Sequence, residues 1–349
     1  MRILFFCQSV AVNDPIVGDT IDRVKALARV EGVDHITVLS VRGNDDQIDG
    51  SIPVFSLKRD QSGGFKALFR FFFLTLQIFK NQKIDVCYLY MTPTLGFLFT
   101  LLKILYPFKL VIWFAHTKFT YWTKINLENF CDRWFSVDRA QTLPFSHVRI
   151  IGQGVSLDHF QVHASEKKYD LVTVGRITPS KNLELMIEGV ALAKKTKPEI
   201  SLLICGDAYL EEDIYYKNEL IRIIQEFDLV KNIVWSGMIS RGDLPAKMRE
   251  ARFFIFTVPG GIGKATIEAM ALGLPLIIAY PEAKNFLGEE LGLLYTCEAR
   301  PQEVCEKILS FMQMSLSEYE ILSVKTASFA RTECSLESFS ERLYRALKT

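Results

Sequence analysis

Five short, almost unbroken apolar runs, at 170–174, 201–205, 232–236, 252–257 and 274–279, mark the second half of the chain. Segments of helical character near 181–195, 210–227, 242–250 and 264–272 separate them. A strand apolar on both faces is buried on both. Strands of that kind alternating with helices build a parallel sheet covered on each side. The first half repeats the plan, with strands near 2–6, 35–39, 84–90 and 109–114 and helices near 19–30, 64–80 and 119–130. The expected fold class is therefore α/β, with two doubly wound Rossmann-like domains. A length of 349 residues agrees with two domains, since single cores stop growing well short of it. The join is expected near 152–168, where GQGVSLDHFQVHASEKK is polar and has no period. This divides the chain into domains at about 1–160 and 161–325, with a final segment at 326–349.

Composition narrows the function. The chain is 49% apolar and 23% charged with a net charge of +1, a balance that gives no support to a nucleic-acid binder. Seven cysteines, at 7, 87, 131, 205, 297, 305 and 334, include no CxxC pair. They read as buried thiols in a reducing compartment rather than as a disulfide framework. His159 and His163 have helical i, i+4 spacing with no Glu between them, so no metal site is expected there. The opening MRILFFCQSV lacks the long apolar stretch of a signal peptide. No run reaches the ~20 apolar residues of a membrane span. FKALFRFFFLTLQIFK at 65–80 carries Lys66, Arg70 and Lys80, and TLGFLFTLLKILYPF at 94–108 is broken by Lys103 and Pro107. The expectation is a cytoplasmic chain. The fingerprint G-x-G-x-x-G is missing after the first strand, where FCQSVAVNDPIVGD holds only Gly18. That argues against a nicotinamide enzyme.

Open parallel sheets bind ligands outside the carboxyl ends of their strands, so residues just after strands carry most information. After RFFIFT comes VPGGIG and then the helical KATIEAMAL, stopped by Gly273 and Pro275. A glycine-rich loop entering a helix N-terminus is an anion site. The amides following Gly261, those of Ile262, Gly263, Lys264 and Ala265, can point at a phosphate, and Lys264 adds charge. Glu268 lies about a turn further in, among Ile267, Ala269, Met270 and Ala271. Either it grips hydroxyls of a ligand, which suits a carboxylate facing a vicinal diol, or it occupies a solvated edge of an ordinary packing helix. LVTVGRITPSKNLELMIEGV at 171–190 places Arg176 and Lys181 in the turn after a strand. Two cations there suit a diphosphate; for that loop taken alone solvated surface charges are the better explanation, and the second anion loop from the same sheet weakens it. LVIWFAHTKF puts His116 just after a strand, as a hydrogen-bond donor at a reacting centre or as a structural histidine.

Together these stretches resemble the family-4 glycosyltransferases, of the GT-B architecture. The resemblance runs from the Gly18 loop through WFAH at 113–116, IGQGV at 151–155, VGRITPSKN at 174–182 and ICGD at 204–207 to EAMALGLPLIIA at 268–279. The terminal FARTECSLESFSERLY looks like a closing helix that crosses back to the first domain. The resemblance implies two Rossmann-like domains facing across a cleft. It implies transfer of a hexosyl group from a UDP- or GDP-linked sugar to a glycan or lipid-linked acceptor, with retained configuration and no metal or other cofactor. It implies that Arg176 and Lys181 hold the diphosphate, that Glu268 binds the ribose, that backbone near Ile239 lines the base, and that His116 faces the donor sugar. The loop at Gly18 and Asp19 is implied to approach the diphosphate. Surface polysaccharide or glycoconjugate assembly is the implied setting.

One departure stands out. Gly260 occupies the place of a second Glu that usually contacts the donor sugar, and Phe256-Thr257 replaces the usual Pro-Ser. A nucleotide-sugar-binding pseudoenzyme or partner subunit without turnover is thus the alternative function. An epimerase of the same architecture needs further acids or bases that the sequence does not offer. The aromatic and basic segment 65–80 reads in two ways: as a peripheral contact with the inner face of a membrane, recruiting a lipid-linked acceptor, or as a helix buried on the sheet.

Overall fold

The structure, a computed structural model, describes residues 1–10, 19–115, 119–137 and 148–349. The chain divides into two compact units, one of Met1–Ser156 with Ser335–Thr349 and the other of Leu157–Cys334.

The first unit is built on β1 (Arg2–Cys7), β2 (His35–Ser40), β3 (Asp46–Ile48), β4 (Ile52–Ser56), β5 (Val86–Tyr90), β6 (Lys109–Trp113), β7 (Arg133–Ser136) and β8 (Val148–Ile150). They lie in the order β3-β4-β2-β1-β5-β6-β7-β8, all parallel to their neighbours except the β3–β4 hairpin. Successive side chains of a strand point to opposite faces, and the central strand β1 shows it. Leu4 and Phe6 join a core under α2 (Arg59–Asn81), α3 (Gly96–Leu102) and α4 (Tyr121–Asn129), whereas Ile3, Phe5 and Cys7 join a core under α1 (Thr20–Ala28). The second of these cores is completed by α12 (Leu336–Lys348), whose Phe339, Leu343, Ala346 and Leu347 form one buried stripe.

The second unit carries a five-stranded parallel sheet of β9 (Tyr169–Val174), β10 (Leu202–Cys205), β11 (Ile233–Gly237), β12 (Ala251–Phe256) and β13 (Leu276–Ile278). The order is β11-β10-β9-β12-β13. From β9 the chain winds outward to β11, then returns to the other side of β9 for β12. The switch point of the sheet therefore lies between β9 and β12, the place where doubly wound sheets open a ligand crevice. Helices α5 (Leu183–Lys194), α6 (Glu211–Glu226), α7 (Leu244–Arg249), α8 (Lys264–Ala271), α9 (Lys284–Tyr295), α10 (Pro301–Met312) and α11 (Leu316–Cys334) cover it. α10 packs on α5, with Val304 against Gly189, and α11 packs on α8.

Several elements depart from the sequence reading: the β3–β4 hairpin, α3, β7, β8, α9 and α10 are additional to it, as is most of α11. The segment 326–349 is not one closing helix: α11 ends at Cys334 and α12 starts at Leu336. Ser335 between them is extended (φ −63°, ψ 155°), and its side chain accepts the Ser338 amide as an N-cap. It also makes a parallel bridge to Val155. The seven cysteines form no disulfide, and Cys7, Cys87, Cys205 and Cys334 are buried.

Candidate functional site

The loops that follow β9, β10 and β11 are laced together through their backbones. Gly175 donates its amide to Cys205 O at 2.9 Å, Gly206 to Gly237 O at 2.9 Å, and Ile177 to Asp207 O at 3.0 Å. Gly175 (φ 150°) and Gly206 (φ 146°) take angles that side-chain-bearing residues rarely adopt. The lacing fixes where residues 175–182 stand relative to the sheet.

Lys181 closes a short 3-10 turn, Pro179–Lys181, and its stem passes over Gly175, with Cε 3.3 Å from where a Cβ on that glycine would stand. Asn182 follows in the left-handed region (φ 49°). The buried Thr257 hydroxyl, from the loop after β12, reaches Lys181 O at 3.1 Å and Asn182 O at 2.9 Å. The two loops flanking the switch point are thereby tied to each other. Between them runs a narrow crevice lined by Thr173, Gly175, Arg176, Lys181, Phe256 and Val258, among others. Burial, and then the neighbouring charge of Arg176, hold the Lys181 ammonium below the usual lysine range. Two cations crowded at the end of a strand raise each other's cost, and an anion between them removes it.

Two residues after Val258, Gly260 (φ 91°) and Gly261 (φ 124°) turn the chain into α8. Ile262 is buried beneath the turn, and Gly263 takes the N-cap position, against the Phe256 ring. Gly263 has no side chain with which to cap α8, and the opening amides around Lys264 and Ala265 form a helix N-terminus of the kind that receives an anion. Every residue from Thr266 to Ala271 is buried. Glu268 is only 5% exposed, which removes the solvated-edge reading. Ile239 lies half-buried in the loop after β11.

The structure adds residues that the sequence reading passed over. Asp213, in the first turn of α6, is fully buried, and its carboxylate stands 3.6 Å from Arg176 Nε. Tyr216, one turn later, receives the Leu183 amide at 2.9 Å and donates to Glu184 at 2.5 Å, so it caps α5. Asp207 pairs with Lys217 at 2.7 Å, and that pairing holds its carboxyl below the usual range. The signal for Asp213 lay in helical phase: it shares the buried stripe of Tyr216, Leu220 and Ile224.

In the first unit, Asp19 precedes α1 and turns its carboxylate to Arg23, which donates through Nε at 3.2 Å and Nη2 at 3.1 Å. Arg23 is buried against the rings of Tyr90, Trp113 and Phe339 and also donates to Gly154 O at 2.6 Å. Gly18 and His116 lie outside the described residues. Arg176, Lys181 and Thr257 are thus brought together at one crevice by the switch point. Among the described residues no group of three or more potential ligands could hold a metal ion.

Residues 155–326 match the family model for glycosyl transferases group 1. A mannosylfructose-phosphate synthase of Agrobacterium fabrum is 27% identical over 111 residues, 31% of this chain and 24% of that protein. An alpha-monoglucosyldiacylglycerol synthase of Streptococcus pneumoniae is 24% identical over 177 residues, 50% of this chain and 37% of that protein. The chain thus aligns with well under half the length of either relative. Among solved structures, Anabaena HepE in complex with UDP superposes with a TM-score of 0.75 at 16% identity, covering 100% of both chains. In a chain whose fold is the GT-B architecture of two Rossmann-like domains, residues 155–326 thus match a glycosyl transferases group 1 domain.

Proposed function

We propose that this chain is a metal-independent, retaining glycosyltransferase that moves a hexosyl group from a UDP- or GDP-linked sugar to a glycan or lipid-linked acceptor. The observation that carries this reading is the crevice at the β9–β12 switch point: Arg176 and Lys181 line it, and Thr257, on the loop that leads into α8 with its buried Glu268, bonds Lys181 O and Asn182 O. The UDP held in the Anabaena HepE structure supports a nucleotide donor.

The chemistry follows from charge. Breaking the bond between the anomeric carbon and the diphosphate leaves negative charge on the departing oxygen. Lys181 and the α8 amides are held by packing before that charge develops, Arg176 stands in an ion pair with Asp213, and fixed donors aimed at the charge lower the barrier. The acceptor hydroxyl adds to the anomeric carbon on the face the diphosphate leaves, and its proton passes to the leaving group. Glu268 holds the ribose hydroxyls, the loop at Ile239 lines the base, and Gly18, Asp19 and His116 serve the donor from the N-terminal domain.

The acceptor side of the proposal concerns α2. One stripe of that helix packs on the sheet through Phe71, Leu74 and Ile78, while Phe65 (87%), Phe69 (75%) and Phe73 (59%) are exposed on another. Leu101 on α3 and Ile104 and Leu105 just after it are exposed as well, and the two helices touch through Phe71 and Phe99. An exposed aromatic stripe with Lys66 and Lys80 beside it suits the headgroup region of an anionic membrane at its cytoplasmic face. Among the described residues no helix is long and apolar enough to cross one. By name, the pneumococcal relative makes a glucosylated diacylglycerol. Assembly of a surface polysaccharide or glycoconjugate is the proposed setting.

A second reading has its own observation. Gly260 has φ 91°, and no side chain from that position contacts a donor sugar, which motivates a nucleotide-sugar-binding pseudoenzyme or partner subunit without turnover. Incubation with UDP- and GDP-sugars, with and without EDTA, distinguishes the two. The glycosyltransferase reading expects slow release of nucleoside diphosphate, unaffected by the chelator. Binding without release across the panel favours the partner subunit. Loss of release in EDTA removes metal independence.

A further inference from the structure

The most unusual buried charge in the second unit is Asp213. Its side chain has no exposure, and among the described residues neither carboxylate oxygen accepts a hydrogen bond. A buried carboxylate is costly without a partner. Its facing cation is Arg176, half exposed, with Nε at 3.6 Å, an ion-pair distance rather than a hydrogen bond.

The direction of approach matters. A guanidinium is a planar fork with two edges, one formed by Nε and one Nη, the other by the two Nη atoms. Asp213 stands on the Nε side, from within the fold. The Nη pair is thereby left for an anion in the crevice that Arg176 lines with Lys181.

We propose that Asp213 is a positioning residue, which aims the guanidinium of Arg176 so that its outer edge receives the diphosphate as a fork. The inference rests on the donor-site reading above and deepens it. An exposed arginine explores many rotamers, and a fixed anion behind it reduces that freedom before the ligand arrives. When phosphate oxygens draw the fork outward, the carboxylate keeps the Nε edge turned inward. Asp213 touches no part of the donor.

The test is calorimetric titration of the full chain with UDP, GDP and uridine. Asp213→Asn keeps shape and removes charge. It should weaken UDP or GDP roughly 5- to 20-fold and change uridine less than about twofold, since only the diphosphate meets Arg176. In an Arg176→Ala background the same substitution should change diphosphate affinity less than about twofold. Equal losses for uridine and UDP, or a full effect without Arg176, would assign Asp213 a general structural role and overturn the proposal. Arg176→Lys at its exposed position provides an arm that does not depend on folding of the Asn variant. It should lose about fivefold or more, because a point charge cannot present a fork, and wild-type affinity there overturns the proposal too. If the unmodified chain binds neither UDP nor GDP, the donor-site reading itself fails, and this inference goes with it.

Discussion

A Cβ placed on Gly206 would stand 1.9 Å from the main-chain oxygen of Gly175. Neither backbone can yield alone, because Gly175 is also bonded to Cys205 and Gly206 to Gly237. Gly206→Ala should therefore destabilise the second unit by roughly 2–4 kcal/mol, combining overpacking with an unfavourable φ. It should weaken nucleoside diphosphate binding as well, since the displaced loop carries Arg176 and Lys181. Denaturant unfolding followed by UDP titration checks this; a variant as stable as the parent would show that the loops are not rigidly joined.

If Lys181 holds the diphosphate as proposed, binding should depend on pH. Its ammonium is held below the ordinary lysine value by burial first and by Arg176 second. In the free protein it therefore loses its proton earlier than an exposed lysine does. A bound diphosphate restores the charge, so binding takes up a proton above that point, and affinity falls as pH rises through it. Arg176→Ala should move the decline to higher pH by removing the second cause. Titrations of UDP between neutral and alkaline pH read both effects, and an affinity flat up to the ordinary lysine range would contradict them. Between its folded and unfolded values, Lys181 binds more protons in the unfolded chain, so it costs stability at neutral pH. Lys181→Met should accordingly be neutral to slightly stabilising, by less than about 1 kcal/mol, while binding is lost.

Glu268 should report on the ribose alone. Glu268→Gln should weaken UDP roughly 10- to 100-fold, the range for a charge-assisted hydrogen-bonding pair. A UDP analogue lacking both ribose hydroxyls should bind the parent about as weakly and discriminate little between parent and variant. An analogue bound as tightly as UDP by the parent would remove Glu268 from the ribose.

The exposed rings on α2 allow a direct measurement of membrane contact. With anionic vesicles at low salt, the parent chain should sediment. Replacing Phe65, Phe69 and Phe73 with serine should cut partitioning about tenfold or more, since each ring withdrawn from water contributes roughly 1.5–3 kcal/mol. Thermal unfolding should change little, because these side chains face outward. A parent chain that stays in solution removes the membrane from the proposal.

The parts of the fold that were legible in the sequence are those where one physical signal dominates. LVTV and RFFIF are apolar on both faces, a pattern that buried parallel strands produce and few other elements do. The β3–β4 hairpin escaped because its strands, DQI and IPVFS, are short, partly polar and interrupted by Pro53. The break at Ser335 escaped because serine tolerates helix interiors, and its N-cap bond and bridge to Val155 exist only once the chain is folded. At the site, Arg176, Lys181 and the glycine loop were visible through their place after strands. Asp213 was not, since Glu211 and Glu212 beside it offer the same charge and only helical phase separates the buried acid from the exposed ones. Asp19 was read as a neighbour of the donor; its carboxylate is engaged by Arg23, a cation that helical periodicity alone places on an ordinary amphipathic face.

The bridge between Val155 and Ser335 makes the second unit an insertion with adjoining ends. Excising 157–334 and sealing the gap with a short peptide removes no strand of the eight-stranded sheet and leaves its last helix in register with α1. The excised segment in turn contains its whole sheet and every loop of the crevice lined by Arg176 and Lys181 in one continuous stretch. Such a segment can be exchanged between chains as a cassette, because a single pair of peptide joints is all that must be recut.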